Sequence, residues 1–311
     1  MKIERYPSNS GISLELRDKV TDLFSRLQTG ISEFTFAGLY LFRNKYGYRL
    51  SISGDGKLLI FGEEYGSPFC MIPMGIPDEE TFNDILNKYH YFKAVSEEDI
   101  ENNRIYLEQK GLHILEDRDN FDYLYKRENL AKLAGKKFHK KRNLVNAFIN
   151  NYSYEECYIT KDNEQDAAEV LEKWREKRIA EGMDEGDYPA AAEALRLREK
   201  LGLCGCLTYV DGVPAAYSMG EMINKTRSFA VHFEKAGTDH KGIYQFINRS
   251  FAQMIGSGFK YLNREQDLGD PGLRQAKMSY RPDGFVKKYK LFTDRSFCRC
   301  DRCCKERNDE L

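Results

Sequence analysis

The 311-residue chain is short of the features that would assign it quickly to a class. No apolar run approaches the roughly 20 residues that span a bilayer, and the longest, "LLIFG" and "FCMIPMGI", are strand-length. The N-terminus, "MKIERYPSNSG", has no apolar h-region, so no secretory signal is expected. Charge of one sign is not in excess. With 48 Lys and Arg against 49 Asp and Glu, overall charge does not call for a polyanion, DNA is not expected, and only local patches could bind one. No G-x-x-x-x-G-K-[ST], H-E-x-x-H or G-x-S-x-G motif occurs, which removes support for P-loop, zincin and α/β-hydrolase chemistry. A cytoplasmic protein is expected. Its eight cysteines are then read as reduced thiols and not as a disulfide framework.

What is present is enough apolar material for substantial cores: 41% hydrophobic and 13% aromatic residues in a length that suits two domains. The first third reads as β-rich, with strands expected over 34–43, 46–53, 57–64 and 68–73. "SGDGK" marks a hairpin turn between two of them. Helices are expected over 78–90 and 96–111, the second capped by Ser96 and closed by Gly111, and short strands over 112–117 and 121–126. The stretch 134–152 places Phe138, Val145, Phe148 and Tyr152 on one helical face and reads as a link between halves. The second half repeats the theme. Helices over 163–178 and 190–202 precede a meander turned at Asp211-Gly212, then a helix from about His240 to Ile255, and strands over 259–265 and 285–292 close the unit. The expected organisation is α+β and doubled: 1–133, a basic helix 134–152, 153–293, and a cysteine-rich tail 294–311.

Three places could carry chemistry. Strand alternation over 228–235 puts Phe229, Val231 and Phe233 on one face and Ala230, His232 and Glu234 on the other. A Gly-containing loop and a helix start follow, where backbone amides can hold an anion. In the next strand Tyr261, Asn263 and Glu265 share one face, Leu262 and Arg264 the other. If these two strands are neighbours, His232, Glu234, Asn263, Glu265 and Asp267 converge with Arg264, Arg274 and Lys277, a mixture able to shift pKa values for acid–base work. The charge-dense stretch "NREQDLGDPGLRQAKMSYRPDGFVKKY" then forms one wall of a cleft, with Asp270-Pro271-Gly272 as its turn. The second place is the run Lys136, Lys137, Lys140, Lys141 and Arg142, five cations without an intervening acid. An anionic partner, cofactor phosphate or RNA, would relieve their repulsion, although a solvated face is the ordinary fate of such runs. The third is the tail with Cys298, Cys300, Cys303 and Cys304. These are read as mobile thiols, with soft-metal binding as the alternative.

Several segments together resemble a known family: Leu203 to Val210, Val210 to Gly212, "AAYSMGE" (215–221), "VHFEKA" (231–236), "NREQDLG" (263–269) and "LRQAKMSY" (273–280), preceded by "KKFHKKRNLVNAFINNY". They are similar to a group of bacterial proteins related to the soluble C-terminal domain of phosphatidylglycerol lysyltransferases, and the basic helix is similar to the matching region of Fem-type peptidyltransferases. The resemblance covers nearly the whole chain and is most specific over 203–289. It implies a tandem pair of GNAT (N-acetyltransferase-like) domains and an acyltransferase. The donor would be aminoacyl-tRNA or, as in other GNAT proteins, an acyl-coenzyme A, and the acceptor an amine or hydroxyl. The alternative is a non-catalytic module that binds an anionic ligand or RNA. His232, Glu234, Arg264 and Glu265 are the expected catalytic residues, His232 or Glu234 being the base and Arg264 or the amides near 236–243 meeting the oxyanion. Gly242, Tyr244, Asn263, Asp267, Arg274, Lys277 and Tyr280, with the basic run, are the expected donor-binding residues. The acyl-coenzyme A loop pattern, Gln/Arg-x-x-Gly-x-Gly/Ala, is matched only at Gly242 of "DHKGIY".

Overall fold

The computed structural model describes residues 2–223 and 227–293. Along the chain the elements are β1 (Ser10–Gly11), α1 (Arg17–Phe24), α2 (Phe36–Tyr46), β2 (Arg49–Ile52), β3 (Leu58–Glu64), β4 (Ser67–Met71), α3 (Glu79–Lys88), β5 (Tyr91–Ser96), α4 (Glu97–Gln109), β6 (His113–Glu116), β7 (Asp122–Lys126), α5 (Arg127–Lys132) and α6 (His139–Asn151). They continue as β8 (Tyr154–Tyr158), α7 (Glu164–Ala180), α8 (Tyr188–Arg196), α9 (Arg198–Leu201), β9 (Cys204–Val210), β10 (Val213–Ile223), β11 (Ser228–Ala236), α10 (Ile243–Met254), β12 (Tyr261–Asn263), α11 (Pro271–Met278), β13 (Gly284–Val286) and β14 (Lys288–Phe292). They make two seven-stranded sheets, ordered β1-β2-β3-β4-β5-β14-β6 and β13-β7-β12-β11-β10-β9-β8.

Each sheet contains the same unit. A hairpin leads to a strand, then a helix, then a parallel strand: β4–α3–β5 in the first sheet and β11–α10–β12 in the second. The hairpins sit at the two Gly turns. Ser53 accepts from and donates to Lys57 across the first, and Asp211 and Gly212 both take positive φ in the second, as a type I′ turn requires. Phe82, Ile85, Phe92, Leu107 and Leu291 pack the first core, and Phe148, Phe229, Phe246, Ile247, Phe251 and Leu262 the second.

The compact units divide at 121/122 and 285/286, and not at the expected 133/134. Strand β7, from the first half of the sequence, pairs antiparallel with β12, while β14, from the end of the described chain, lies between β5 and β6. Strand 285–292 therefore does not close the second unit. Nor is 134–152 a linker. Phe138, Val145 and Phe148 are part of the second core, and α6 packs against α10.

The segment 34–43, expected as a strand, is the start of α2. Its aromatic content suits a strand, but Thr35 caps the helix by accepting from Gly38 N–H, and Gly47 ends it with φ 59°. Asp270-Pro271-Gly272 is likewise a helix start. Asp270 accepts from Leu273 N–H and Pro271 opens α11.

Because each sheet takes an inner strand from the other half of the sequence, cutting at 133/134 leaves both fragments with exposed ladder edges. Fragments 1–133 and 134–311 expressed separately are expected to show no cooperative thermal transition, and co-expressed they should co-purify and melt as one species. A sharp circular-dichroism melt for 1–133 alone would contradict the exchange.

Candidate active site in the second sheet

The site begins with a defect in the β10–β11 ladder. Met219 faces Phe233 and Gly220 faces Val231, so His232 is an extra residue without a partner on β10: a β-bulge. Gly220 opposite it is obligatory in shape, because a Cβ there would lie 1.8 Å from the Ala230 carbonyl oxygen. On its other side β11 pairs with β12 only through Ser228, Phe229 and Ala230. Beyond Asn263 the chain stays with β7: Arg264 N–H donates to the Tyr123 carbonyl, and Tyr123 N–H to that of Glu265. The outer half of β11 therefore opens away from its parallel neighbour.

The bulge also shifts the alternation of side chains, and the single cluster expected from the sequence becomes two. His232 is clamped between carboxylates, with Nε2 3.0 Å from Glu221 Oε1 and Nδ1 2.7 Å from Glu265 Oε1. Burial alone would lower its pKa. The charge of Glu265 and the hydrogen bonds to both carboxylates outweigh that and raise it to about 10. His232 is thus a buried imidazolium whose two N–H groups both donate, and it has no lone pair with which to act as base. Glu265, in the left-handed region at φ 54°, donates its N–H to Asn263 Oδ1. Asn263 and Gln266 donate in turn to the two oxygens of Asp122, at 3.0 and 2.8 Å.

Glu234 points toward α10. Its carboxylate accepts from Arg264 Nη2 at 2.9 Å and from Asn248 Nδ2 at 3.2 Å. The Arg264 guanidinium lies over the Tyr280 ring at 5.2 Å, and the Lys141 ammonium covers the same ring at 4.1 Å. Burial and the neighbouring Arg264 lower the Lys141 pKa. The expectation that Asn263 and Glu265 share one face and Arg264 the other agrees with these partners. The placing of His232 and Glu234 on one face does not, and the extra residue is the reason.

A sequence model described as "Phosphatidylglycerol lysyltransferase, C-terminal" matches residues 24–292. The chain belongs to this family. A conserved protein of unknown function from Bacteroides thetaiotaomicron is 31% identical, with TM-score 0.83 over 92% of this chain and 99% of that one. The C-terminal domain assigned to a lysylphosphatidylglycerol synthetase of Agrobacterium fabrum has TM-score 0.60 at 15% identity over 93% and 96% of the two chains. FemX has TM-score 0.57 at 9% identity over 94% and 99%. At such identities the likeness is one of fold, a tandem GNAT-like α/β architecture. A curated but uncharacterized relative from Mycoplasmoides gallisepticum is 27% identical over 176 residues, and the chain spans about half of its length.

Within this member of the lysyltransferase C-terminal family, the remaining expected residues fall into place as follows. Asp267 is chelated by Arg274 at 2.9 and 2.8 Å, and also accepts from Tyr123 OH and Gly269 N–H. Burial would raise its pKa, but the Arg274 and Tyr123 hydrogen bonds hold it at about 2. Lys277 is buried, donating to the Arg264 carbonyl at 2.6 Å and to that of Gln266. Burial first, then Arg264, depress its pKa to about 8. Tyr244 donates to the Ala236 carbonyl at 3.1 Å. Gly242 is needed at φ 90°, where a Cβ would meet the Leu144 carbonyl oxygen at 2.2 Å.

Of the amides near 236–243, Gly237 N–H donates to the Ala215 carbonyl, Ile243 N–H to that of His240, and Lys241 N–H to the hydroxyl of Tyr152 just past α6, while α6 packs against α10 with the Leu144 carbonyl beside Gly242. The basic run divides. Arg142 donates to the Leu133 and Gly135 carbonyls and Lys141 stacks on Tyr280, whereas Lys136, Lys137 and Lys140 are exposed. The cysteines 298, 300, 303 and 304 lie outside the described residues. Among the described residues no cluster could hold a metal and no helix is long and apolar enough to cross a membrane.

Sequence reasoning missed Glu221, the second carboxylate on His232, and Asn248. A signal for the first was present, because a glycine inside a strand, here Gly220, marks a bulge or a close backbone approach.

A raised histidine pKa stabilises the fold fully below the unfolded value of about 6.5 and loses that effect as pH rises through about 10. The stability difference between wild type and His232→Gln, from urea unfolding, should therefore be largest at pH 6 and shrink steadily to pH 10. Nitrogen-15 spectra should show a protonated ring at pH 8. A neutral ring at that pH would refute the clamp.

Proposed function

We propose that the protein transfers an aminoacyl group from aminoacyl-tRNA to a hydroxyl or amine acceptor, with the chemistry at the opening between β11 and β12. The observation that carries this reading is the Glu234–Arg264 pair at that opening, in a chain of the lysyltransferase C-terminal family. The acceptor's proton passes to Glu234 as the acceptor attacks the donor's ester carbonyl. Arg264, with N–H groups beyond the one given to Glu234, donates to the oxyanion. The ester C–O bond to the tRNA ribose then breaks, and the ribose oxygen takes the proton back from Glu234. His232 serves as a fixed positive charge that holds Glu265 and with it the backbone carrying Arg264. The expected base is therefore Glu234, not His232.

Two observations favour an aminoacyl donor over acyl-coenzyme A. Helix α6 lies across the start of α10, where a pyrophosphate would need free amides. Asn248 gives its Nδ2 to Glu234 and keeps a buried Oδ1 with no partner, which suits the ammonium of an aminoacyl group. Lys136, Lys137 and Lys140 are the phosphate contacts of the tRNA in this reading, with Asp267, Arg274 and Lys277 fixing the wall of the cleft.

The test is transfer of labelled lysine from lysyl-tRNA to phosphatidylglycerol micelles. Glu234→Gln should lower kcat/KM by about 10²–10⁴-fold with an unchanged melting curve. Changing Lys136, Lys137 and Lys140 together to Ala should raise KM, leave kcat alone and flatten the salt dependence, by roughly one unit of log–log slope per lost phosphate contact. Transfer from acetyl-coenzyme A with none from any aminoacyl-tRNA would overturn the reading.

A further inference from the structure

On the side of β10–β11 covered by α7 lies a second polar cluster that the proposed chemistry does not use. Tyr217 is fully buried, and its hydroxyl has no hydrogen-bond partner. Across the ladder it is in register with Lys235, which is 5% exposed. The Lys235 ammonium is 2.5 Å from Asp187 Oδ1 and 3.6 Å from the centre of the Trp174 ring. Asp187 is the residue before α8, and its side chain is 31% exposed, so the cluster reaches solvent along the exposed loop 181–187.

A buried hydroxyl without a partner costs about 1–3 kcal/mol, so its persistence in a packed sheet calls for an explanation. The cluster's charge says what could satisfy it. Lys235 and Asp187 neutralise each other, so a phosphate or carboxylate would face Asp187 at close range, and an ammonium would face Lys235 and Arg178, which also lies over Trp174. A neutral hydroxyl fits both ends. Its oxygen accepts from Tyr217, and its hydrogen goes to the Asp187 carboxylate.

We propose that Tyr217, Lys235, Asp187 and Trp174 form a binding site for a neutral hydroxyl-bearing ligand, of the polyol kind, on the α7 side of β11. The site does not rest on the transferase reading: Tyr217 and Lys235 pair across the ladder on the face opposite Glu234, which points toward α10.

The chain has a single tryptophan, and it is Trp174, so its fluorescence reports ligands that bind beside its ring. The full-length protein is titrated with glycerol, with glycerophosphoglycerol, and with glycerophosphoethanolamine, which replaces the terminal glycerol by an ammonium. Saturable change with the first two, tighter for glycerophosphoglycerol if a headgroup is the natural source and equal if any polyol serves, supports the proposal. Tyr217→Phe should weaken that binding at least tenfold while melting at or above the wild-type temperature, since it removes an unpartnered group. Absence of saturable change with either polyol, preference for the ammonium compound, or a clear loss of stability in Tyr217→Phe would overturn the proposal. Because no transfer is measured, failure of the transferase reading leaves these outcomes intact.

Discussion

The exchange of one strand between the halves of the sequence is the constraint on which everything else rests. Strand β12 has three residues, too short to hold a sheet together. It is held on one side by β11 over only three residue pairs and on the other by β7. That second support keeps Arg264 and Glu265 in line after β12 has parted from β11. Without β7 the chain beyond Asn263 would have no ladder to follow, and the opening beside β11 would be a loose loop. In the first sheet β14 does the same for β5, pairing through Lys288, Tyr289 and Leu291. There Lys288 is fully buried and reaches Glu33.

Upon that frame the bulge at His232 sorts the charges. One extra residue reverses which side chains face which layer. It sends His232 to Glu221 and Glu265, and lets Glu234 turn to Arg264 and Asn248. A regular strand would put His232 and Glu234 side by side, where each would satisfy the other and neither would need Arg264. The bulge keeps a carboxylate available at the mouth of the opening, with its cation at 2.9 Å.

Much of this was legible in the sequence because it depends on local chemistry. The Gly turns, the Ser96 cap and the apolar face of 134–152 each follow from a few adjacent residues, and each is present in the structure. The opposite facing of Arg264 and Glu265 also matches the alternation read for this stretch, although β12 ends at Asn263 and Glu265 takes φ 54°. Strand exchange was not, because it is decided by contacts more than 130 residues apart, such as Tyr123 with Asp267. The bulge escaped period-2 reasoning along 228–236 because its sequence signal, Gly220, lies on the neighbouring strand. The aromatic run 36–42 was misread as strand because propensity yields to capping once Thr35 and Gly47 fix the two ends.

The charged groups of the site also balance. His232, Arg264, Lys277, Arg274 and Lys141 supply five formal positive charges, and Glu221, Glu265, Glu234, Asp267 and Asp122 supply five negative ones. Buried ions are tolerated only when compensated, and removing one partner commonly costs about 3–5 kcal/mol because its mate is stranded. The balance is least secure at Lys277, whose pKa of about 8 leaves it closest to losing its proton. Its ammonium fastens the carbonyls of Arg264 and Gln266 on either side of Glu265. Deprotonating Lys277 would therefore leave the carboxylates in excess and weaken the hold on the turn that aims Arg264. By contrast His232, between two carboxylates, keeps its proton to a pH near 10. The pair thus divides the work: a histidine that stays charged anchors Glu265, and a lysine near its titration point sets how firmly the backbone next to it is held.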